Sequence, residues 1–154
     1  MKTKNVQGII CLVILFLFAN HAWAADWVPY SSTSMGLVYY DISSIKKVNK
    51  NIIRVWTERI FNEEGKTDIL SFLKRIGKAP DNPDILRSIK NLWEIDCVNE
   101  KSKISFQIIY DEKGKGLHSD HEITEWEYII PGTADEILKN IVCNAGKTSK
   151  TEKK

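Results

Sequence analysis

Charge of one sign, long apolar runs, cysteine and histidine are all scarce in this sequence, and each scarcity removes a class of protein. Lys and Arg total 22 against 20 Asp and Glu, too even a balance for a globally basic nucleic-acid binder. The longest apolar run, residues 8–19, falls short of the about 20 residues a membrane-spanning helix needs. Only three Cys and three His are present, and no G-x-S-x-G elbow occurs, so nucleophilic catalysis has little to stand on. The few Pro and Gly gather into no linker, and no repeat divides the chain.

What is there begins with an export signal. Lys2 and Lys4 precede the apolar run, and "AWA" at 22–24 supplies small residues before a cut after Ala24. Cys11 lies inside the run behind Ile9 and Ile10, where a lipidation motif needs a small residue. Removing residues 1–24 takes two Lys and no acid, leaving cations and acids equal in number. The expected organisation is a signal over 1–24, one domain over 25–145 and a disordered basic tail, "GKTSKTEKK", over 146–154. No transmembrane segment remains after cleavage, and the location is the periplasm or the outer cell surface.

Export also decides the cysteines. Cys97 and Cys143 remain in an oxidising compartment, where one disulfide between them is expected. It closes a loop of about 45 residues, which chain entropy values at roughly 4 kcal/mol. Two isolated Cys without nearby His make a poor zinc site.

Hydrophobic periodicity predicts the elements. Residues 26–30 and 37–41 read as strands around the turn-rich "SSTSMG", and Asp41 can cap a helical turn in "DISSIKK". "NIIRVWTERIF" (51–61) reads as an inner strand covered on both faces, followed by the turn "NEEGK". Ile69, Phe72, Leu73 and Ile76 share a helical face, with Asp68 as cap and Gly77 as stop. Period two then marks "NLWEIDC", "KISFQIIY" and "EWEYII", joined by turns as an antiparallel meander. Thr133 and Glu136 form a capping box for a last helix with the stripe Ala134, Ile137, Leu138, Ile141. Cys143 lies nearly opposite that stripe, so either the helix ends near Val142 and turns Cys143 inward, or Cys97 sits at the sheet rim. The fold class is α+β: an antiparallel sheet of about five to six strands with a central and a C-terminal helix packed on it, and one disulfide.

The order of short motifs carries a resemblance. "DW-x-x-Y", "G-x-x-YYD-x-x-SI" (36–45), "N-x-x-RVW" (51–56), "EIDC" (94–97), "YDEKGK" (110–115), "W-x-x-I-x-PGT" (126–133) and "VC" (142–143) follow one another from Asp26 to Cys143. This set resembles the surface-adhesin protein E-like family of exported Gram-negative proteins. The resemblance implies the same α+β domain with a disulfide, and a non-enzymatic protein that binds host matrix or plasma proteins. A periplasmic small-ligand-binding or envelope-accessory protein is the alternative.

Candidate site residues follow from exposure and chemistry. Lys46, Lys47, Lys50 and Arg54 form a basic cluster for an acidic partner, a protein face or a sulfated glycan. Lys74, Arg75 and Lys78 suit a helix C-terminus. Trp27 and Tyr30 lie on an edge strand that can contact a partner or pair with a second copy as a homodimer, whereas Trp56, Trp93 and Trp126 read as core. His118 and His121, in "HSDHE", are weak metal candidates on what reads as a loop. Glu94, Asp96, Glu125 and Glu127 read as solvated outer positions. No cofactor is expected.

Overall fold

The structure, a computed structural model, describes residues 25–121 and 124–148. The export signal over 1–24 and the tail from 149 onward lie outside the described residues. Among the described residues eight strands form one antiparallel sheet: β1 (Trp27–Thr33), β2 (Gly36–Asp41), β3 (Lys46–Lys47), β4 (Ile52–Phe61), β5 (Leu86–Asp96), β6 (Lys101–Asp111), β7 (Gly116–His121) and β8 (Glu127–Tyr128). Their order across the sheet is β1-β2-β4-β5-β6-β7, with β3 beside β4 and β8 beside β6. Two α-helices complete the described residues, α1 (Glu63–Arg75) and α2 (Ala134–Thr148). The α+β class, the meander and the disulfide stand as expected; the strand count is higher.

Register assigns every side chain to a face. Val55 opposes Trp93, Thr57 opposes Asn91 and Arg59 opposes Ile89, and Ile109 opposes His118. This face carries both helices. Under α1, Leu73 packs with Phe61, Leu86, Ile89 and Ile109. Under α2, Leu138 and Val142 pack with Val55 and Ile95. Burying each such aliphatic side chain is worth about 1.5–3 kcal/mol, so the two patches anchor the helices. The other face of β4 carries no helix, contrary to the expectation of cover on both sides. Its apolar groups are shielded by side chains of neighbouring strands, an arrangement open to antiparallel sheets.

Several boundaries differ from the periodicity. α1 begins at Glu63 because Asn62, rather than Asp68, is the cap: its Oδ1 accepts from Gly65 N at 2.9 Å. "NEEGK" is therefore the first turn of the helix, with Glu63 and Glu64 suited to its positive end. Gly77 does end α1, at φ +67. β5 starts at Leu86, several residues before the clean alternation, because a register irregularity between Leu86 and Ser88 hides the period.

α2 continues through Cys143 to Thr148 and does not end near Val142. The disulfide forms because Cys97 lies at the sheet rim, in the turn just after β5, with the two Cα atoms 5.8 Å apart. The buried stripe is rotated accordingly: Leu138 and Val142 are fully buried while Ile137 is exposed. Glu136 reaches back to Gly132 N at 2.8 Å, one residue earlier than a capping box on Thr133 would place it.

Two buried carboxylates explain two of the motifs. Asp41 accepts from Asp26 N and Ser43 N, each at 2.9 Å, closing β1 against the end of β2. Asp111 accepts from Lys113 N at 2.9 Å and Lys115 N at 2.8 Å, which shapes the β6–β7 turn. Hydrogen bonds from backbone N–H groups satisfy a buried carboxylate without a counter-ion.

Candidate functional site

The helix-free face is a lattice of aromatic rings and charges laid out by register. Glu58 opposes Lys90, Trp56 opposes Leu92 and Arg54 opposes Glu94; Phe106 opposes Leu92, and Lys103 opposes Glu94. One row is aromatic. The Trp56 ring meets Phe106 edge-on at 5.8 Å, and Phe106 meets His121 at 4.7 Å. Such contacts hold half-exposed rings in place beyond their area burial.

The flanking rows hold cations over rings. Lys90 Nζ lies 5.0 Å from the centre of the Trp27 ring and 5.3 Å from that of Tyr110. It also lies 3.8 Å from Glu58 Oε2, and Ser88 Oγ donates to the other oxygen of Glu58 at 2.7 Å. Glu94 lies between two cations: Arg54 holds Oε1, with Nε donating at 3.1 Å, and Lys103 Nζ is 3.6 Å from Oε2. Lys103 Nζ lies 5.4 Å from the Trp126 ring and Lys101 Nζ 4.4 Å from the Tyr128 ring. Exposed cation–π contacts are worth about 0.5–1 kcal/mol each. Their larger consequence is positional, since each ammonium is held against a ring.

Sequence-predicted residues divide between the faces. Trp27 opposes Asp41 on the helix-free face and covers Lys90. Tyr30, an odd number of residues on, faces the helices, where its ring meets Tyr40 edge-on at 5.9 Å. Burial pushes its hydroxyl far above the ordinary phenol range, the charge of Asp135 adds to this, and Arg59 opposes both. Lys46 opposes Arg54, extending the charged row to the sheet edge, whereas Lys47 alternates to the other side. Both are exposed, as is Lys50 in the turn before β4. Arg54 is committed to Glu94.

The metal candidates do not converge. The segment read as a loop is β7, and period two sends His118 and His121 to opposite faces. His118 meets Phe72 of α1 at 5.7 Å, while His121 meets Phe106 at a tilt of 53°. Among the described residues no group of three His, Cys, Asp or Glu is arranged to hold a metal ion. Glu94 is not a solvated outer acid either, because its side chain is only 12% exposed between its two partners. Asp96 accepts from Val98 N, Asn99 N and the Asn99 amide. The Asn99 backbone bond above all holds its carboxyl below the usual range, and the turn carrying Cys97 is fixed by it. Trp126 belongs with Lys103 on the helix-free face instead of in the core.

Lys90, Lys101, Lys103, Phe106 and Tyr110 escape a reading of one strand at a time. Each sits in a strand whose period is legible, yet which ring meets which ammonium depends on the pairing register.

The fold and this face define a class: a disulfide-tied α+β domain with one sheet face sealed by helices and the other left bare. The profile of the surface-adhesin protein E family matches residues 27–144, and the chain belongs to that family. Two solved structures of Haemophilus influenzae protein E are similar to it. One is 19% identical over 80% of this chain and 95% of that chain, with a TM-score of 0.49. The other, crystal form II, is 17% identical over 79% and 98%, with a TM-score of 0.47. No curated protein matches the chain.

Proposed function

We propose that this protein is an exported, non-enzymatic adhesin, displayed at the outer cell surface, that contacts extracellular-matrix or other host proteins through its helix-free face. The observation that carries the reading is the row of ammonium groups held over Trp27, Tyr110, Trp126 and Tyr128. Aromatic side chains and pre-positioned cations are the groups that dominate protein contact energies, and packing within the sheet has already paid part of their ordering entropy. Lys46 extends the positive surface at the edge, with Lys50 exposed in the adjoining turn and Lys47 on the other side, so an acidic protein face is the partner chemistry, with a sulfated glycan as its nearest mimic. The outer edge of β1 is the place for a homodimer contact.

The deciding experiment has two arms. Antibody labelling and protease shaving of intact cells should detect the protein outside. The purified protein should bind immobilised matrix proteins saturably, and Lys90→Ala with Lys103→Ala should weaken that binding about tenfold or more without shifting the melting temperature by more than a few degrees. Protease protection in intact cells, or binding unaffected by both substitutions, overturns the reading.

A further inference from the structure

One corner of the helix-free face is built differently from the rest. Where the start of β5 meets the β6–β7 turn, a depression of about 370 Å³ opens, its walls including Glu58, Arg87, Lys90, Tyr110, Glu112 and Lys113. Two register irregularities flank it, one between Leu86 and Ser88 and one between Ile109 and Tyr110. At the first, Arg87 is the extra residue. Leu86 packs under α1, while Ser88, two positions on, bonds to Glu58 on the other face. Bulges of this kind re-aim side chains, and here Arg87 joins the wall of the depression.

The turn on the far side is held as firmly. Asp111 accepts from the backbone N–H groups of Lys113 and Lys115. Glu112 N donates to Ile85 O at 2.9 Å, which ties the turn carrying Lys113 to the backbone two positions before Arg87. The charges in this corner divide into engaged and free. Glu58 is engaged by Lys90 and Ser88, and Asp111 by its own turn. Arg87 and Lys113 are exposed and make no ion pair or side-chain hydrogen bond among the described residues. The Glu112 carboxylate is exposed and unpaired as well. Two free cations therefore face one free acid, beside the Tyr110 ring that Lys90 Nζ approaches to 5.3 Å.

We propose that this depression is a subsite for one residue of an acidic saccharide, a pyranose bearing a sulfate or a carboxylate. The anionic group goes to Arg87 and Lys113, the planar guanidinium fork being suited to such oxygens. Glu112 accepts from the sugar hydroxyls, and the Tyr110 ring offers an apolar surface to the C–H face of the sugar. An acidic side chain of a protein is the poorer fit, because its single carboxylate satisfies the cations but gives the free acid no donor and the ring no partner. This deepens the adhesive reading of the face and rests on it only in taking the saccharide to be the host's.

The purified full chain is titrated with a heparin tetrasaccharide at low ionic strength while the Gly114 amide and Tyr110 ring resonances are followed. A desulfated tetrasaccharide, a hexaglutamate peptide and sodium sulfate serve as matched probes. Saturable shifts with the sulfated saccharide are expected, fading as sodium chloride screens the contact. Arg87→Gln with Lys113→Gln should weaken binding about tenfold or more, as the loss of a charged contact implies, with an unchanged melting temperature because both residues are exposed. Lys46→Gln with Lys47→Gln, beside the start of β4, should leave it nearly unchanged. Absence of binding, or affinity that survives the Arg87 and Lys113 substitutions, overturns the proposal. So does equal binding of the desulfated sugar, of the peptide, or of sulfate alone. Saccharide binding without matrix-protein binding would remove the adhesin reading and leave this subsite standing, and the reverse result would remove the subsite alone.

Discussion

Gly65, in the first turn of α1, lies so close to Met35 that a methyl group on it would come within 2.2 Å of the Met35 carbonyl oxygen. The same approach is clamped by hydrogen bonds, as Asn62 Nδ2 donates to Ser34 O at 2.8 Å and Asn62 N to Met35 O at 3.2 Å. Helix α1 is thereby wedged against the β1–β2 hairpin. Gly65→Ala favours helix by propensity yet forces two backbone segments apart. The expected outcome is a loss of about 1–3 kcal/mol, measured by urea unfolding, and greater stability in the variant would contradict this wedge.

Glu94 holds two cations at once, and its removal leaves Arg54 and Lys103 facing each other. Glu94→Gln should cost about 1–2 kcal/mol, between the values for exposed and buried pairs. The loss should shrink in high salt, which screens the exposed repulsion between the remaining cations. Denaturant midpoints at low and high sodium chloride check both statements.

Breaking the Cys97–Cys143 link, which joins residues 46 apart in sequence, releases the end of α2 from the rim of the sheet. Paired Cys97→Ser and Cys143→Ser substitutions should lower stability by about 2–4 kcal/mol. Loss of helical signal before the sheet melts, read by circular dichroism, is the expected signature.

Asp135 and Asp96 make opposite pH predictions. Asp135 has a raised folded pKa, so the fold disfavours its charged form, and stability falls as pH rises through that raised value. Asp135→Asn should therefore melt higher than the parent at neutral pH, with the gap closing in acid. Asp96 has a lowered folded pKa, so its contribution is present above the ordinary carboxylate range and is lost as pH falls through the folded value. Asp96→Asn should cost stability at neutral pH and nothing in strong acid. Thermal melts between pH 3 and 7, ordinary buffer territory for carboxylates, separate the two.

Local chemistry made most of the fold legible. The strands through Trp93 and Ile104, the cap at Asp41, the stop at Gly77 and the pairing of Cys97 with Cys143 all follow from residue type and period, whereas "EWEYII" shrinks to the two residues Glu127–Tyr128. Failures came where a non-local fact decides. Asn62 outcompetes Asp68 as the cap because Gly65 allows the hairpin to approach. His118 and His121 separate because "GLHSDH" pairs with β6, and the pull of a neighbouring strand outweighs its weak intrinsic preference. The candidate face was half legible for the same reason: Trp27 and Arg54 are visible as types, but Lys90 over Trp27 depends on β1, β2, β4 and β5 lying in one register.

The distribution of indoles gives the molecule built-in optical reporters. Among the described residues, Trp27, Trp56 and Trp126 lie on the helix-free side, while Trp93 donates from Nε1 to Thr57 Oγ1 at 3.1 Å on the other. An ionic quencher in solution will reach the first three more readily than the fourth. A ligand covering the bare side should therefore protect most of the emission, whereas one entering beside Trp93 should shift a minor component and leave the rest unchanged.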